Sequence, residues 1–234
     1  MILDRDRLKR EAAHAALDFV KDGMVVGLGT GSTASFVVAA LGERVREGLR
    51  ITGIPTSERT GSLAREAGIP LAGFAEYQRF DLTIDGADEV ERSSLNLIKG
   101  LGGALLREKI VAAVSRRLII VVDQEKLVDQ LGRRTPVPVE IVPFGWQATE
   151  AAIAKLGANP VLRHSGEDHP FITDGGNYIL DCRFAGIVDP RELEQRIGMI
   201  VGVVESGLFI GRTSAVVVAS TSGIEVLTPP GGTS

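Results

Sequence analysis

The chain is poor in several residue types, and each shortage argues against a class of protein. Its 234 residues include one cysteine, Cys182, so no disulfide can form within the chain, which fits a reducing, cytoplasmic compartment. Three histidines and that cysteine, none at ligand spacing, argue against a structural metal site. Aromatic residues make up only 5% of the chain, which disfavours a base-stacking surface for single-stranded nucleic acid.

Long apolar runs and a strong charge imbalance are missing as well. No apolar run reaches membrane-spanning length, and the charged start MILDRDRLKREAAHAAL lacks the apolar core of a signal peptide. The formal net charge is −4 with both signs interspersed, so we expect neither a nucleic-acid nor a membrane partner. Hydrophobic residues make up 44% of the chain, which is enough for one large or two small domains.

The first half of the chain alternates short apolar runs with amphipathic stretches. The apolar runs predict strands at 24–29, 51–55, 81–85 and 118–123. The amphipathic stretches predict helices at 8–20, 35–45, 56–67 and 104–114. Because the predicted strands are nearly continuous in apolar residues, they suit a parallel sheet covered on both faces.

The pattern changes near residue 131. A proline-flanked strand at 135–143 suits an edge or an interdomain crossing, because proline cannot donate to a sheet ladder. The segment that follows predicts a helix at 146–156, a hairpin at 171–184 with its turn at 174–177, and a helix at 190–197. Some of the later strand-like runs are expected to rejoin the first sheet, namely 208–210, 215–219 and 224–227.

These elements predict an α/β protein with an inserted domain. Residues 1–130 plus 206–234 would form an open, Rossmann-like parallel-sheet domain that carries the catalytic groups. Residues 131–205 would form a smaller inserted α+β domain of the ferredoxin-like type, which we expect to contribute to oligomer contacts.

Two hydroxyl-bearing loops follow predicted strands. The first, GLGTGSTA, runs from Gly27 to Ala34 and opens a helix, so its amides and the helix dipole would attract an anion. It matches G-x-G-x-x-G only in part and lacks the lysine of a Walker motif, and a plain strand–helix turn is the alternative. In the second loop Thr56, Ser57 and Thr60 follow the next strand, where Thr56 or Ser57 could equally cap a helix.

The segment IDGADEV, followed by KGLGGALLREK, holds most of the chemical information. Asp85 and Asp88 come at the carboxyl end of a predicted strand, the edge at which open α/β sheets bind ligands. The alternative is a pair of turn-forming aspartates. Lys99 opens a glycine-rich turn that offers a cation and mobile amides, although a surface loop has the same composition. Glu108, between two basic residues near a helix start, would by itself be a solvated glutamate, and its neighbours make it a candidate.

Two lysines are weaker candidates. Lys126 follows Asp123 at the end of a predicted strand and could reach the same sheet edge, although a solvated lysine fits its neighbours better. Lys9, close to the start of the chain, has no local feature that indicates a function.

Together these segments resemble the A-type ribose-5-phosphate isomerases. The resemblance rests on VGLGTGST, PTSERT, IDGADEV, KGLGGALLREKI, PVPVEIVPFG and TDGGNYILDCRF, with GVVESGLF continuing it, so that it covers nearly the whole chain. The combination of IDGADE with KG-x-GGAL-x-REK is the most specific part. Leu101 stands inside the glycine run where some members have glycine, a change that should leave backbone contacts intact.

The resemblance implies roles for individual residues. Glu108 would be the catalytic base, with Asp85, Asp88 and Lys99 as the other catalytic groups. Asp85, Asp88 and Lys99 would also bind the substrate. Neighbouring loop residues would bind it with them, namely Thr30, Gly31, Ser32, Thr33, Ser57, Gly86, Ala87, Gly100, Leu101, Gly102 and Lys126, with Lys9 near the phosphate.

The implied reaction interconverts D-ribose 5-phosphate and D-ribulose 5-phosphate through a cis-enediolate, a step of the non-oxidative pentose phosphate pathway. The resemblance further implies no metal and no organic cofactor, a small sugar phosphate as the partner, and a homodimer or homotetramer. Two alternatives stay open on the sequence, a sugar-phosphate sensor without catalytic activity and a coenzyme A transferase with a nucleophilic glutamate. The sensor is disfavoured because the α/β pattern starts with no room for a DNA-binding helix-turn-helix.

Overall fold

A computed structural model describes residues 5–166 and 169–229. The chain divides into two compact units. The first unit comprises Met1–Ala87, Arg107–Leu127 and Arg212–Ser234, and the second comprises Asp88–Leu106 and Val128–Gly211. Among the described residues no helix is both long enough and apolar enough to cross a membrane.

The elements follow one another along the chain as numbered here. The helices are α1 (Arg5–Ala16), α2 (Ser32–Arg46), α3 (Glu58–Glu66), α4 (Leu105–Val114), α5 (Trp146–Ala154) and α6 (Pro190–Gly198). The strands are β1 (Val25–Leu28), β2 (Thr52–Pro55), β3 (Leu82–Asp85), β4 (Glu89–Glu91), β5 (Leu97–Ile98), β6 (Leu118–Asp123), β7 (Leu127–Val128), β8 (Val137–Ile141), β9 (Asn159–Leu162), β10 (Tyr178–Arg183), β11 (Val203–Ser206), β12 (Leu208–Phe209), β13 (Ala215–Ser220) and β14 (Gly223–Leu227). Short 3-10 turns lie at Leu17–Phe19 and Gln124–Lys126.

The first unit is built on a six-stranded sheet in the order β14-β13-β6-β3-β1-β2. Its strands pair in parallel except for β14, which runs antiparallel to β13 at one edge. The apolar runs of β1, β3 and β6 are buried along their whole length, as expected for parallel strands covered on both faces. The prediction of an open parallel α/β sheet is confirmed, including the return of β13 and β14 to it.

Small side chains let a helix lie close to this sheet. On α1 the residues Leu8, Ala12, Ala13 and Ala16 are buried in the main core cluster, which also contains Val121 and Val217 of the sheet. A second close contact involves Gly42 of α2. There is no space for a side chain at this position, because a Cβ there would lie 2.6 Å from the Cβ of Ala67. Helix α2 and the end of α3 are therefore closely packed.

The second unit contains an antiparallel sheet in the order β11-β8-β10-β9. With α5 between β8 and β9 and α6 between β10 and β11, the connection is β-α-β-β-α-β. Numbered within the unit, the strand order is 4-1-3-2, which is the ferredoxin-like arrangement. The α+β character predicted for this part of the chain is confirmed.

Two details of that prediction were wrong. The proline-containing strand β8 lies inside the sheet between β10 and β11 and is buried throughout, so it is not an edge strand. Pro138 is tolerated there because the pairing of β11 with β8 ends at Ser206, opposite Val139, so Pro138 lies beyond the last paired residue of β11. The hairpin predicted at 171–184 exists only as its turn and second strand, since β10 pairs with β9 and β8 while residues 171–173 form no strand.

A third, small sheet in the order β12-β5-β4-β7 escaped the sequence prediction. Its strands are two or three residues long, too short for a periodic pattern to show. The structure groups Asp88–Leu106 with the second unit, whereas the predicted boundaries have those residues in the α/β domain. The grouping differs from the prediction because β5 pairs with β12 of the second unit and not with a strand of the parallel sheet. Residues 1–4 and 230–234 of the predicted α/β domain lie outside the described residues.

Candidate active site

The carboxyl edge of the parallel sheet gathers many of the predicted site residues of the first unit. Parallel strands all end at the same edge, and in this unit β1 leads to Thr30, β2 leads to Ser57, and β3 ends at Asp85. Strand β6 leads to the 3-10 turn that contains Lys126. Open α/β sheets bind ligands at this edge, so the fold places these side chains where a ligand is expected.

A cluster of hydroxyl groups orders the loop after β1. The Oγ1 atom of Thr30 lies 2.7 Å from Oγ1 of Thr56, 2.9 Å from Oγ of Ser57 and 3.1 Å from Oγ1 of Thr60. Thr60 also donates to the carbonyl of Gly29 over 3.0 Å. Ser57 is the N-cap of α3 and accepts from the backbone N–H of Thr60, so the capping alternative is confirmed for this residue.

The start of α2 offers backbone donors. Gly31 is its N-cap with φ of 109°, a conformation that a residue with a side chain rarely adopts. Ser32 is exposed and Thr33 is half-buried in the first turn. Because the first N–H groups of a helix have no partner within it, this end of the 15-residue helix can receive an anion.

Asp85 is held at the end of β3 by backbone groups. Its side chain is 1% exposed, and its Oδ1 accepts the N–H of Thr30 at 3.1 Å and the N–H of Gly86 at 2.7 Å. Gly29 permits this contact, because a Cβ there would lie 2.6 Å from the Cα of Asp85. The half-buried Gly86 and Ala87 follow directly. The carboxylate therefore has a fixed position at the sheet edge.

Glu108 is buried, which contradicts the alternative of a solvated helix glutamate. It lies in the first turn of α4 and is 3% exposed. The neighbouring Arg107 forms an ion pair of 2.8 Å with Glu58, the first residue of α3. Since α3 starts at the carboxyl edge of the sheet, this pair brings the first turn of α4 to that edge. Arg107 also holds the pKa of the exposed Glu58 carboxyl below its ordinary value through a hydrogen bond and charge attraction.

The two predicted lysines of the first unit lie at less central positions. Lys126 is half-buried in the turn after β6. Arg5, in the first turn of α1, forms an ion pair of 2.6 Å with Glu125 of that turn, which brings the start of α1 to the carboxyl end of β6. Lys9 lies one turn further along α1, and its side chain is 17% exposed. Its Nζ is 3.6 Å from Oδ1 of Asp6.

The second unit contains the remaining predicted residues. Lys99 follows β5 directly and is 2% exposed, with its Nζ 5.5 Å from the centre of the Phe209 ring. Asp88 precedes β4, and its N–H donates to the carbonyl of Ile98 over 2.8 Å. Its Oδ2 accepts the N–H of Leu101 at 2.9 Å, which ties the carboxylate to the glycine turn. Lys99 and Gly100 are buried, whereas Leu101 and Gly102 are exposed.

Two residues near this turn were missed by the sequence prediction. Arg163 donates to the carbonyls of Gly100 and Leu101, each over 3.0 Å, and forms an ion pair with Asp181. Arg163 lies 62 positions from Leu101 along the chain, and Asp181 lies 18 positions further on, so no local pattern connects them to the turn. The pairing of β9 with β10 brings Arg163 and Asp181 together, and the sequence analysis did not predict β9.

Among residues 5–166 and 169–229, no group of three or more histidine, cysteine, aspartate or glutamate side chains is placed to hold a metal ion. The polar groups described above are carboxylates, ammonium groups, hydroxyls and backbone amides. Within the first unit, the buried carboxylates Asp85 and Glu108, the hydroxyls and the backbone amides are groups that can bind a polar metabolite and move protons on it.

An open α/β sheet with a buried carboxylate and hydroxyl loops at its carboxyl edge defines a class of enzymes that act on small polar metabolites. The family model of ribose 5-phosphate isomerase A (phosphoriboisomerase A) matches residues 52–223. A ribose-5-phosphate isomerase A of Gloeobacter violaceus is 63% identical over 97% of this chain and 98% of its own. One from Gluconobacter oxydans is 56% identical over 93% and 94%. The chain belongs to the ribose 5-phosphate isomerase A family.

Solved structures agree with this assignment. Ribose 5-phosphate isomerase A of Methanocaldococcus jannaschii is 43% identical and superposes with a TM-score of 0.91, covering 95% of this chain and 98% of its own. A D-ribose-5-phosphate isomerase in complex with phospho-erythronic acid is 40% identical, with a TM-score of 0.93 over 97% of this chain and 100% of its own. The predicted fold class and family are confirmed.

Proposed function

We propose that this protein interconverts D-ribose 5-phosphate and D-ribulose 5-phosphate. The observation that carries the proposal is the buried Glu108, a carboxylate at 3% exposure in the first turn of a helix at the ligand-binding edge of the sheet. The names of the relatives support the substrate, and so does the complex of one of them with phospho-erythronic acid. These relatives favour an isomerase over the sensor and the coenzyme A transferase.

Glu108 is the base in this proposal. The reaction moves a hydrogen from C2 of the aldose to C1 of the ketose. Glu108 takes the proton from C2 as a cis-enediolate forms and returns it to C1 on the same face, while a second proton passes between the oxygens of C1 and C2. A positioned base contributes about 10²- to 10⁴-fold to such a step.

The developing enediolate charge needs stabilising groups. Lys99 and amides of the glycine turn, residues 100–102, are proposed to stabilise the oxyanion, since preorganised donors act most strongly in a site shielded from water. Asp85 and Asp88 are proposed to assist ring opening and to move the hydroxyl proton. The fixed contacts of both carboxylates with backbone N–H groups support this role, because a proton shuttle needs a defined position.

The phosphate group needs a separate anchor. We assign it to the start of α2 at Thr30–Thr33 together with Lys126, because N–H donors and a cation suit a dianion. Lys9 is proposed to add a second positive charge near the phosphate. The buried Ser57 is proposed to order the Thr30 loop by accepting a hydrogen bond from the Thr30 hydroxyl. Gly86 and Ala87 are proposed to line the sugar through their backbone.

We further propose that the enzyme works without a metal or organic cofactor, in the cytoplasm, in the non-oxidative pentose phosphate pathway, and as a homodimer or homotetramer. The proposed contribution of the smaller domain to oligomer contacts is supported by exposed apolar side chains in the second unit. Phe144 is 94% exposed, Val201 94% and Met199 78%. Light scattering at several concentrations measures the assembly.

The experiment that tests the reaction is a ketose assay on EDTA-treated protein with D-ribose 5-phosphate. Formation of ribulose 5-phosphate is expected, with D-ribose as a matched control that lacks the phosphate and reacts far more slowly. A protein that binds the sugar phosphate and leaves it unchanged would be a sensor. In a parallel incubation with an acyl-coenzyme A, a thioester between the Glu108 carboxyl and coenzyme A, formed with release of the acyl group, would indicate the transferase instead.

A further inference from the structure

We propose that Arg163, held by Asp181, is a positioning residue that fixes the glycine turn of residues 100–103 for catalysis. The inference rests on the proposed function, because the turn matters to the reaction only if its amides face the substrate. All groups involved belong to the second unit. Neither Arg163 nor Asp181 is among the predicted catalytic or substrate-binding residues.

The peptide group between Gly100 and Leu101 is held at both ends. Its carbonyl oxygen, on Gly100, accepts from Nη1 of Arg163 at 3.0 Å and from the N–H of Gly103 at 3.0 Å. Its N–H, on Leu101, donates to Oδ2 of Asp88 at 2.9 Å. A cationic donor and an anionic acceptor thus hold one peptide plane from opposite sides, and charge-assisted hydrogen bonds are stronger than neutral ones.

The next peptide group, between Leu101 and Gly102, contacts Arg163 through its carbonyl. The carbonyl of Leu101 accepts from the same Nη1 of Arg163 at 3.0 Å. In a planar trans peptide the C=O and the N–H point in opposite directions, so the N–H of Gly102 points away from Arg163. Because the N–H groups of Leu101 and Gly103 already have protein acceptors, the direction of the Gly102 N–H is what Arg163 can set for the substrate.

Arg163 is itself rigidly placed. Its Nε donates to Oδ2 of Asp181 over 2.9 Å and its Nη2 to Oδ1, a two-point contact that lysine cannot reproduce. The guanidinium carbon lies 5.8 Å from the centre of the Phe171 ring. Phe171 in turn contacts the turn, since a Cβ at Gly103 would lie 2.6 Å from its Cε1. The side chain of Arg163 is 13% exposed and that of Asp181 25%.

The test compares Arg163→Ala and Arg163→Lys with Arg183→Ala, a matched change of an exposed arginine on β10. Arg163→Ala should lower kcat about 10- to 100-fold, because small misplacements of groups around the reacting atoms cost that much. KM for ribose 5-phosphate should change less than about threefold, since the phosphate anchor is untouched. Millimolar guanidinium should restore part of kcat to Arg163→Ala, and sodium chloride at equal concentration should not.

A second readout does not depend on activity. Hydrogen exchange of a peptide that contains residues 99–103 should be faster in both Arg163 variants than in wild type and unchanged in Arg183→Ala. Wild-type kcat and exchange in Arg163→Lys would overturn the proposal, and so would a loss of activity in Arg163→Ala that guanidinium does not restore. A wild-type protein without isomerase activity would refute the proposed function instead, and the exchange data would still decide whether Arg163 orders the turn.

Discussion

Two glycine-containing loops of this protein are held in place by different chemistry. In the first unit the side chain of Thr30 contacts three neutral hydroxyls, those of Thr56, Ser57 and Thr60. In the second unit the turn at 100–103 is held by ionised groups, Asp88 on one side and Arg163 on the other. The hydroxyl network adds neutral donors to a loop that is proposed to receive a phosphate, and the Asp85 carboxylate holds the same loop through the backbone N–H of Thr30.

The difference between the two loops parallels their proposed roles, which are phosphate binding for the Thr30 loop and catalysis for the turn at 100–103. The charge of Arg163 is balanced by Asp181, so this pair holds the second turn without adding a net charge of its own, and the Asp88 carboxylate contacts the turn from the other side. We therefore expect changes to the ionised groups to lower kcat, and changes to the hydroxyl loop and its lysine to raise KM or lower stability. The predictions below test that division, starting with the largest expected effect.

Replacing Glu108 with glutamine should have the largest effect. The amide keeps the shape of the side chain and cannot accept the substrate proton, so kcat should fall at least about 10²-fold while KM stays within a few fold. Steady-state kinetics and a thermal melt measure both, with Glu66→Gln on the exposed part of α3 as the matched control. Near-normal turnover in Glu108→Gln would remove this residue from the mechanism.

Lys126→Ala should show the opposite signature. Loss of a charge-assisted contact with the phosphate from a half-buried lysine should raise KM about tenfold, equivalent to about 1.4 kcal/mol, with kcat nearly unchanged. Lys21→Ala changes an exposed lysine of the same unit and should leave KM as it is. An unchanged KM in Lys126→Ala would mean that the phosphate is bound elsewhere.

The hydroxyl cluster can be probed through Thr60. Its hydroxyl donates to the carbonyl of Gly29 over 3.0 Å and lies 3.1 Å from Oγ1 of Thr30. Thr60→Val keeps the shape of the buried side chain and leaves that carbonyl without its donor, so the free energy of unfolding should fall by about 1–3 kcal/mol. Thr60→Ser keeps the hydroxyl and should lose less. Urea titrations compare the two, and equal losses would contradict the prediction by showing that the methyl group contributes as much to stability as the hydrogen bonds.

Cys182 provides a check on the second unit that does not involve the proposed site, and its effect near neutral pH should be the smallest of the four. Burial raises the pKa of its thiol well above the ordinary value, so the folded protein keeps the proton at a pH where the unfolded chain loses it. Above about pH 8.5 the free energy of unfolding should therefore fall with rising pH more steeply in wild type than in Cys182→Ala. Denaturant melts at pH 8 and pH 10 measure this difference, which should be below about 1.4 kcal/mol per pH unit. Parallel pH dependence of both proteins would contradict it.

The sequence predicted the first unit better than the second for a physical reason. Long, apolar, β-branched runs such as Leu118–Asp123 form buried parallel strands whose pattern is visible locally. Strand β9, with the sequence NPVL, alternates between exposed and half-buried positions and contains a proline, so its sheet neighbours decide its conformation. Strands β4 and β5 are too short to show any period.

The candidate site divides in the same way. Asp85 and Asp88 were predicted as candidates from a local signal, the segment IDGADEV and its position after a strand. Burial of Glu108 could not be predicted from its basic neighbours, because packing around the first turn of α4 decides it. Pairing of β9 with β10 brings Asp181 close to Arg163, and Arg163 contacts the glycine turn, so neither contact could be predicted before the fold was known.

The most direct test of the central claim is proton NMR of D-ribose 5-phosphate with the EDTA-treated protein in D₂O, run beside Glu108→Gln. The account predicts that the wild-type protein forms ribulose 5-phosphate, that deuterium enters at C1 or C2, and that Glu108→Gln abolishes most of both changes. Ribose 5-phosphate that stays intact and unexchanged in the presence of the wild-type protein would contradict the account.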